Sequence, residues 1–205
     1  KKIYGLSPTD FRKANLGNLS KIGKMNSKNG KANFITEEYL CNINNLKNWI
    51  KMNAKIEILV MPKMNLAYVT QIGKTGIEDA FLRILKWATP KGILAKSETH
   101  VCRVFHDSFK VTDADKVRMS IGILSVHNLE VDNNVGLSSI EKGKHIVGHF
   151  VIEQKEFEKA WDSLFIWMNE NGYKKSDSFP FEIYHNNFNE HPDKKCIVDL
   201  CIPIE

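Results

Sequence analysis

The sequence predicts an α+β domain: two pseudo-symmetric strand–helix–strand–strand modules that form an antiparallel sheet with two long helices and a ligand groove. The first observation behind this prediction is a weak internal repeat. Residues 66–93 match residues 146–173 at an offset of 80 positions, and after a one-residue slip residues 102–109 match residues 181–188. The second observation is that β-rich runs dominate over two long helices, an arrangement typical of α+β folds. A cleft between two such modules suits a small ligand.

The first module follows from β-rich runs and one amphipathic stripe. Pro62-Lys63 separates the first two runs and predicts a β-hairpin, and Thr75 with Glu78 fits a capping box at the start of a helix. The predicted elements are strands at 56–61 and 66–72, a helix over 75–89, and strands near 100–106 and 117–126.

The second module repeats this order of elements. Its apolar stripe recurs at helical spacing and ends before Gly172. The predicted elements are strands near 136–142 and 144–152, a helix over 154–170, and strands near 180–185 and 195–203. The helix is expected to bury Phe157, Ala160, Trp161, Leu164, Phe165 and Met168.

The chain before the compact domain divides into three predicted segments. Residues 1–13 resemble the end of one helix and the start of another, so we expect a remnant of a missing N-terminal domain. Residues 14–34 are rich in Gly, Asn, Ser and Lys, which is typical of a linker. Residues 36–50 carry apolar positions that predict a short amphipathic helix. The compact domain then occupies residues 51–205.

Composition excludes several classes of protein. The chain has 205 residues, 42% of them hydrophobic, and a formal net charge of +5. It has no apolar run of transmembrane length, so a soluble, cytoplasmic protein is expected. Its four cysteines lie singly in or beside apolar stretches, which predicts buried thiols and no metal site. Phosphate-binding, dinucleotide-binding and Gly-x-Ser-x-Gly motifs are absent from the sequence, so neither a cofactor nor a catalytic residue is predicted.

Several stretches together resemble a known family. K1-K-I-Y-G-L-S-P-T-D-F-R12 resembles the tail of the second helix-turn-helix in AraC-type transcription regulators. The rest resembles the GyrI-like effector-binding domain that is often fused behind it and that occurs in multidrug-sensing regulators. The stretches that carry this second resemblance are A67-Y-V-T-Q-I-G73, A80-F-L-R-I-L-K-W87, H106-D-S-F-K-V-T-D-A-D-K-V-R118, W167-M-N-E-N-G-Y173, P180-F-E-I-Y184 and C201-I-P-I204.

The resemblance implies a bacterial transcription regulator whose effector domain binds a small organic molecule, commonly cationic and aromatic. It also implies that the acidic residue of the Pro-x-Glu-x-Tyr strand, here Glu182, lies at the floor of the groove. DNA would be a partner only through the missing N-terminal domain, no membrane contact is implied, and a homodimer is left open. The chain departs from the family at I72-G-K-T75, where many members carry Gly-Pro-Tyr, so the groove residue at that edge is in doubt.

The residues themselves also point to Glu182. Period-two alternation places Glu182 and Tyr184 on one face of the strand and Phe181 and Ile183 on the other. A carboxylate among aromatic rings suits an organic cation, through Coulomb attraction and cation–π contacts. The predicted ligand-binding residues are Glu182, Tyr184, Phe105, Tyr68, Phe150, Trp161 and Arg103.

Three alternatives stay open at this point. The repeat matches Glu182 to Arg103, and if these two residues pair and neutralise each other, a neutral or anionic ligand is expected instead. A second alternative is a hydrolase, in which burial of Glu182 makes it a general base. The third is a protein-interaction module like the gyrase inhibitors of the same family. The helix-turn-helix remnant favours ligand sensing over the last two.

Overall fold

The structure is a computed structural model that describes residues 30–108, 111–132 and 134–205, with side chains described from residue 40 onward. The predicted helix-turn-helix remnant and most of the predicted linker lie outside the described residues. By its internal contacts the chain divides into two units, residues 1–48 and 49–205.

Helix α1 (Gly30–Asn53) is longer than the short helix predicted over 36–50. Its first residues were expected to belong to the linker, but once a helix is nucleated each added residue gains a hydrogen bond, so the helix extends through them. Cys41 on this helix is exposed, contrary to the prediction of buried thiols, whereas Cys102, Cys196 and Cys201 are buried free thiols.

The second unit is an eight-stranded antiparallel sheet with two further helices, which confirms the predicted α+β fold. The strands are β1 (Ala54–Met61), β2 (Met64–Ile72), β3 (Thr99–Phe105), β4 (Arg118–Ser125), β5 (Gly136–Ile140), β6 (Gly143–Ile152), β7 (Phe181–Tyr184) and β8 (Cys196–Pro203). The helices are α2 (Ile77–Ala88) and α3 (Phe157–Glu170). The strand order is β1-β6-β8-β7-β3-β4-β2-β5.

The strand order shows two modules of the same topology. Counted outward from the centre, one half runs β7, β8, β6 and the other runs β3, β4, β2. Central strands β3 and β7 join the modules, and their register sets Arg103 directly opposite Glu182. Because the repeat matches these same two residues, the pseudo-two-fold axis passes between them.

The predicted hairpin between β1 and β2 is wrong. Strand β1 pairs with β6 of the second module, and β5 pairs with β2 of the first, so the two modules exchange their outer strands. A tight hairpin turn needs residues with positive φ, whereas Pro62 fixes φ near −65°. Pro62-Lys63 instead links strands in opposite halves of the sheet, and the Cα spacing keeps the ends of those strands within about 11 Å. The sheet must therefore curve until its two halves meet at this side.

The curved sheet buries a different apolar cluster on each face. The larger cluster lies under α2, α3 and the end of α1. The smaller one fills the opposite, inner face and includes Leu66, Val104, Phe181 and Ile183. The alternation predicted around Glu182 is therefore confirmed, because Phe181 and Ile183 face away from the helices.

The two faces correct one part of the repeat alignment. An offset of 80 matches Leu66 to Ile146, but Leu66 lies on the inner face and Ile146 lies under the helices. A shift of one residue moves a side chain to the other face of a strand, so Ala67 is the true counterpart of Ile146. In the helices the offset of 80 holds, since Ala80 and Ala160 are both buried against the sheet.

The two long helices begin differently. The capping box predicted from Thr75 is wrong: the N-cap of α2 is Gly76, whose φ of 82° favours glycine and which has no side chain to cap the helix. A capping box is instead found before α3, where the backbone N–H of Glu156 donates to the Glu153 carboxylate and the backbone N–H of Glu153 donates to the Glu156 carboxylate. Within the described residues, no helix is both long and apolar enough to cross a membrane.

Candidate functional site

The centre of the candidate site is a buried ion pair on the pseudo-two-fold axis. Glu182 is fully buried, and the side chain of Arg103 is 17% exposed. The guanidinium donates from Nε to Oε2 at 2.7 Å and from Nη2 to Oε1 at 2.9 Å, so the contact is bidentate. This is the neutralising contact between repeat partners that the sequence left open.

Two further donors complete the environment of Glu182. The indole Nε1–H of Trp161 donates to Oε1 at 2.8 Å, and the hydroxyl of Tyr184 donates to Oε2. Each carboxylate oxygen therefore accepts two hydrogen bonds, which uses its lone pairs. Burial raises the pKa of Tyr184, so its hydroxyl stays protonated and remains a donor.

Arg103 keeps its charge in this setting. Burial acts to lower its pKa, but the charge of Glu182 and the hydrogen bonds to Glu182 hold the pKa above its usual range. The pair is thus a permanent cation and its counter-ion, with no net charge between them. A ligand that approaches this site meets a neutral pair rather than a bare carboxylate.

Aromatic rings enclose the pair. The guanidinium carbon of Arg103 lies 4.9 Å from the ring centre of Phe105 and 5.7 Å from that of Phe157. The Tyr184 ring meets Phe81 of α2 edge-on at 5.5 Å and Phe157 of α3 at 6.3 Å. The N-terminal halves of both helices therefore supply rings that cover the central strands.

The structure brings together five of the seven predicted ligand-binding residues: Glu182, Tyr184, Phe105, Trp161 and Arg103. It separates the other two from them. Tyr68 packs on the inner face of the sheet, opposite to Glu182, and is therefore not a candidate for the groove. Phe150 is 1% exposed and stacks on Trp49 at 6.1 Å, in the core below α3. Tyr68 was predicted because it lies on the strand before the helix, and that position alone does not show which face of the sheet its ring takes.

Phe81 and Phe157 also contact the site, although neither was predicted as a site residue. Both belong to the apolar stripes of their helices, and a stripe does not show which of its members lie at the margin of the core. Their place near the helix N-termini was the available signal.

A cavity of about 370 Å³ lies at these N-termini, lined by Lys74, Gly76, Ile77, Glu78, Asp79 and Gln154. One of its lining residues, Ile77, is about one helical turn before Phe81, and another, Gln154, is three residues before Phe157.

A second polar cluster lies on the face of the sheet away from the helices. Asp199 accepts a hydrogen bond from His149 at 2.7 Å and another from His185 at 2.8 Å. The second ring nitrogen of His149 lies 3.0 Å from Glu57, and the ring of His100 is 5.5 Å from that of His185. Among the described residues, no group of three or more His, Cys, Asp and Glu side chains is arranged to hold a metal ion.

The Asp199–His185 contact predicts a pH dependence of stability. The hydrogen bond that the His185 ring donates to Asp199 raises the pKa of His185 above 6.5. Burial acts to raise the pKa of Asp199, but hydrogen bonds from His185 and His149 outweigh burial and lower it below 3.8. The contribution of His185 to the free energy of unfolding is complete below pH 6.5, and it is lost as the pH rises through the raised pKa of His185. The Asp199 contribution is complete above pH 3.8, so stabilisation by the pair is greatest between these values.

The substitution Asp199→Asn tests this dependence. We expect the His185 pKa, followed by NMR titration of its ring proton, to fall in the variant. The loss in free energy of unfolding should be largest at mildly acidic pH and smaller at alkaline pH. His145, whose pKa is lowered by burial on the same face, serves as a control and should keep its value. An unchanged His185 pKa in the variant would contradict the contact.

Known proteins of the same fold place these observations in context. The C-terminal domain of EcmrR has a solved structure with a TM-score of 0.60 at 12% identity, covering 74% of this chain and 98% of that one. EcmrR in a complex with DNA aligns with 98% of this chain and 78% of its own, at a TM-score of 0.58 and 12% identity. These likenesses show a shared fold.

Sequence comparison gives the family itself. "DNA gyrase inhibitor 2" of Dickeya dadantii (strain 3937) is 23% identical over 111 residues, which cover 53% of this chain and 69% of that protein. Residues 54–205 match the family described as GyrI-like small molecule binding domain. The match extends over both modules and includes the Arg103–Glu182 pair. The chain therefore belongs to the GyrI-like family of small-molecule-binding domains.

Proposed function

We propose that this domain senses a small organic molecule in the groove between its modules, as the effector domain of a bacterial transcription regulator. The observation that carries the proposal is the ring-lined Arg103–Glu182 pair at the junction of β3 and β7. Aromatic walls with a few fixed polar groups are what small-molecule sites commonly contain. Membership of a small-molecule-binding family supports the same function.

The ligand we favour is neutral or anionic, with aromatic character. Arg103 already lies between the rings of Phe105 and Phe157, in the place that a cationic ligand would take. A cation would have to displace the guanidinium, and breaking a buried ion pair costs about 3–5 kcal/mol. The cationic ligand that the sequence suggested is therefore disfavoured.

Regulation of transcription is supported by two observations. The first is the resemblance of residues 1–12 to an AraC-type helix-turn-helix, and the second is the likeness of the described residues to EcmrR, which was solved in a complex with DNA. We infer that DNA is contacted through an N-terminal domain, that the regulator acts in the cytoplasm, and that it acts as a homodimer where its operator is symmetric. Control by a ligand requires different affinities in two states of the regulator.

A route for such control is present in the second unit. The last turn of α1 packs against α3 through Trp49, whose ring is 4.9 Å from Lys159 Nζ. Trp161, two residues further along α3, donates to Glu182. A ligand that moves Trp161 would therefore act on the same helix that holds the end of α1.

A hydrolase is less well supported by this geometry. A general base needs a carboxylate oxygen that can take a proton from water. Both oxygens of Glu182 already accept two hydrogen bonds each from protein donors. Turnover of electrophilic esters or epoxides that disappears in Glu182→Gln would reverse this preference.

The groove is tested with a panel of small aromatic compounds, neutral and charged, screened for an increase in melting temperature. For a compound that stabilises the parent protein, Phe157→Ala should weaken binding by roughly tenfold, because a ring contact and its buried area are lost. Phe179→Ala is a matched control, since it removes the same ring from a half-exposed site beside His106. Equal effects of the two substitutions would show that the compound binds elsewhere.

A further inference from the structure

We propose that the groove recognises a carboxylate, held by the outer edge of the Arg103 guanidinium, on a planar aromatic molecule. This inference rests on the proposed function, because it names the chemical class of ligand for the same groove. It differs from the cationic ligand expected from the family resemblance. The reasons are the hydrogen-bonding capacity left in the site and the positions of the rings.

The donors of Arg103 are only partly used. A guanidinium has five N–H groups in a planar fork, and two of them are directed at Glu182. Within residues 30–108, 111–132 and 134–205, the two N–H groups on Nη1 and one on Nη2 have no hydrogen-bond partner. The side chain of Arg103 is 17% exposed, so it is partly open to solvent.

The acceptors of Glu182 are fully used. Its four donors are two guanidinium N–H groups, the Trp161 indole and the Tyr184 hydroxyl. The pair therefore offers donors and no free acceptor to an incoming molecule. Such a site suits a ligand that accepts hydrogen bonds, and a carboxylate matches the remaining fork in a bidentate way.

The rings select a planar molecule. Phe105 and Phe157 lie close to the guanidinium carbon, at 4.9 Å and 5.7 Å from it, while Glu182 takes one of its edges. A carboxylate that binds another edge would extend from the guanidinium into the space beside these rings. A flat, conjugated ligand could then stack on the rings, whereas a bulky tetrahedral group would fit less well.

The charges are compatible with an added anion. Arg103 would lie between the ligand carboxylate and Glu182, and the Trp161 and Tyr184 donors share the charge of Glu182. Glu78 and Asp79 line the cavity at the helix N-termini but are exposed, so water and salt screen them.

Three probes of one shape and different charge test the inference: 2-naphthoate, 2-naphthamide and 2-naphthamidine. Their end groups are planar and nearly isosteric, so binding differences measured by calorimetry report charge and hydrogen bonding. We expect naphthoate to bind the parent protein roughly tenfold to a hundredfold more tightly than naphthamide, and the amidine to bind most weakly.

Two variants separate Arg103 from Glu182. Glu182→Gln keeps the shape of the side chain and the charge of Arg103, so naphthoate should bind it at least as tightly as the parent. The double variant Arg103→Gln/Glu182→Gln replaces the ion pair by two neutral amides and should lose the preference for naphthoate. Circular dichroism and thermal unfolding of each variant confirm that the comparison is made on folded protein.

The remaining outcomes overturn the inference in distinguishable ways. Tighter binding of the amidine, or a naphthoate preference that persists in the double variant, would reject the carboxylate site and leave the groove as a binding site. The same holds if none of the three probes binds while other panel compounds bind and respond to Phe157→Ala. If no panel compound binds the parent protein, both the proposed function and this inference fail.

Discussion

Replacing Arg103 by methionine is expected to lower the free energy of unfolding by about 3–5 kcal/mol, measured by urea denaturation at neutral pH. Methionine keeps much of the aliphatic volume between Phe105 and Phe157, so the loss reports the missing charge rather than a cavity. Glu182 would remain fully buried with only Trp161 and Tyr184 as donors.

A second substitution checks this explanation. Adding Glu182→Gln to the Arg103→Met variant removes the uncompensated charge and should recover most of the lost stability. Two results would contradict the account: a loss below about 1 kcal/mol for Arg103→Met, which is typical of exposed ion pairs, or no recovery in the double variant. Either result would mean that the pair is not desolvated in solution.

Replacing Trp49 by alanine should also cost about 3–5 kcal/mol, the range for truncation of a buried tryptophan. Trp49 is 8% exposed, and it stacks on Phe150 while Lys159 lies over its ring. The substitution removes the contacts of Trp49 with Phe150 and Lys159, which hold the last turn of α1 against the second module. Amide hydrogen exchange should then show faster opening of residues 49–53.

Trp87 is the matched control for this prediction. It is only partly buried, and its indole donates to Asp132 at the surface. Trp87→Ala removes the same side chain and should cost clearly less than Trp49→Ala. Similar losses for the two variants would show that the α1 contact contributes little. In that event a ligand that moves Trp161 would not affect α1 through the contact between α3 and Trp49.

The outer strands could not be assigned from the sequence. The β-rich run at 56–61 was identified correctly as a strand, but apolar alternation carries no information about which strand lies beside it. Strand β1 pairs with β6, far along the chain, and this choice depends on how the whole sheet curves. The short connection suggested the nearest neighbour in sequence, which was the wrong partner.

Some of the candidate site residues could be identified from the sequence, and others required the tertiary structure. An alternating strand places Glu182 and Tyr184 on one face whatever the rest of the fold does, so the sequence alone identified them. Tyr68 was predicted from its place on the strand before α2, which does not decide the face, and its ring lies on the face away from the helices. Phe81 and Phe157 reach the site only because the N-terminal halves of two helices converge over Tyr184.

The sequence by itself determined the two modules, the α+β class and the match between Arg103 and Glu182. The reason is that periodicity and internal repetition are local properties that any fold of these segments must respect. Only the tertiary structure decided that the matched residues form a bidentate pair and that four donors saturate the carboxylate. Hydrogen bonds between side chains depend on distances of a few tenths of an ångström across the pseudo-two-fold axis, and those distances arise when both modules pack together.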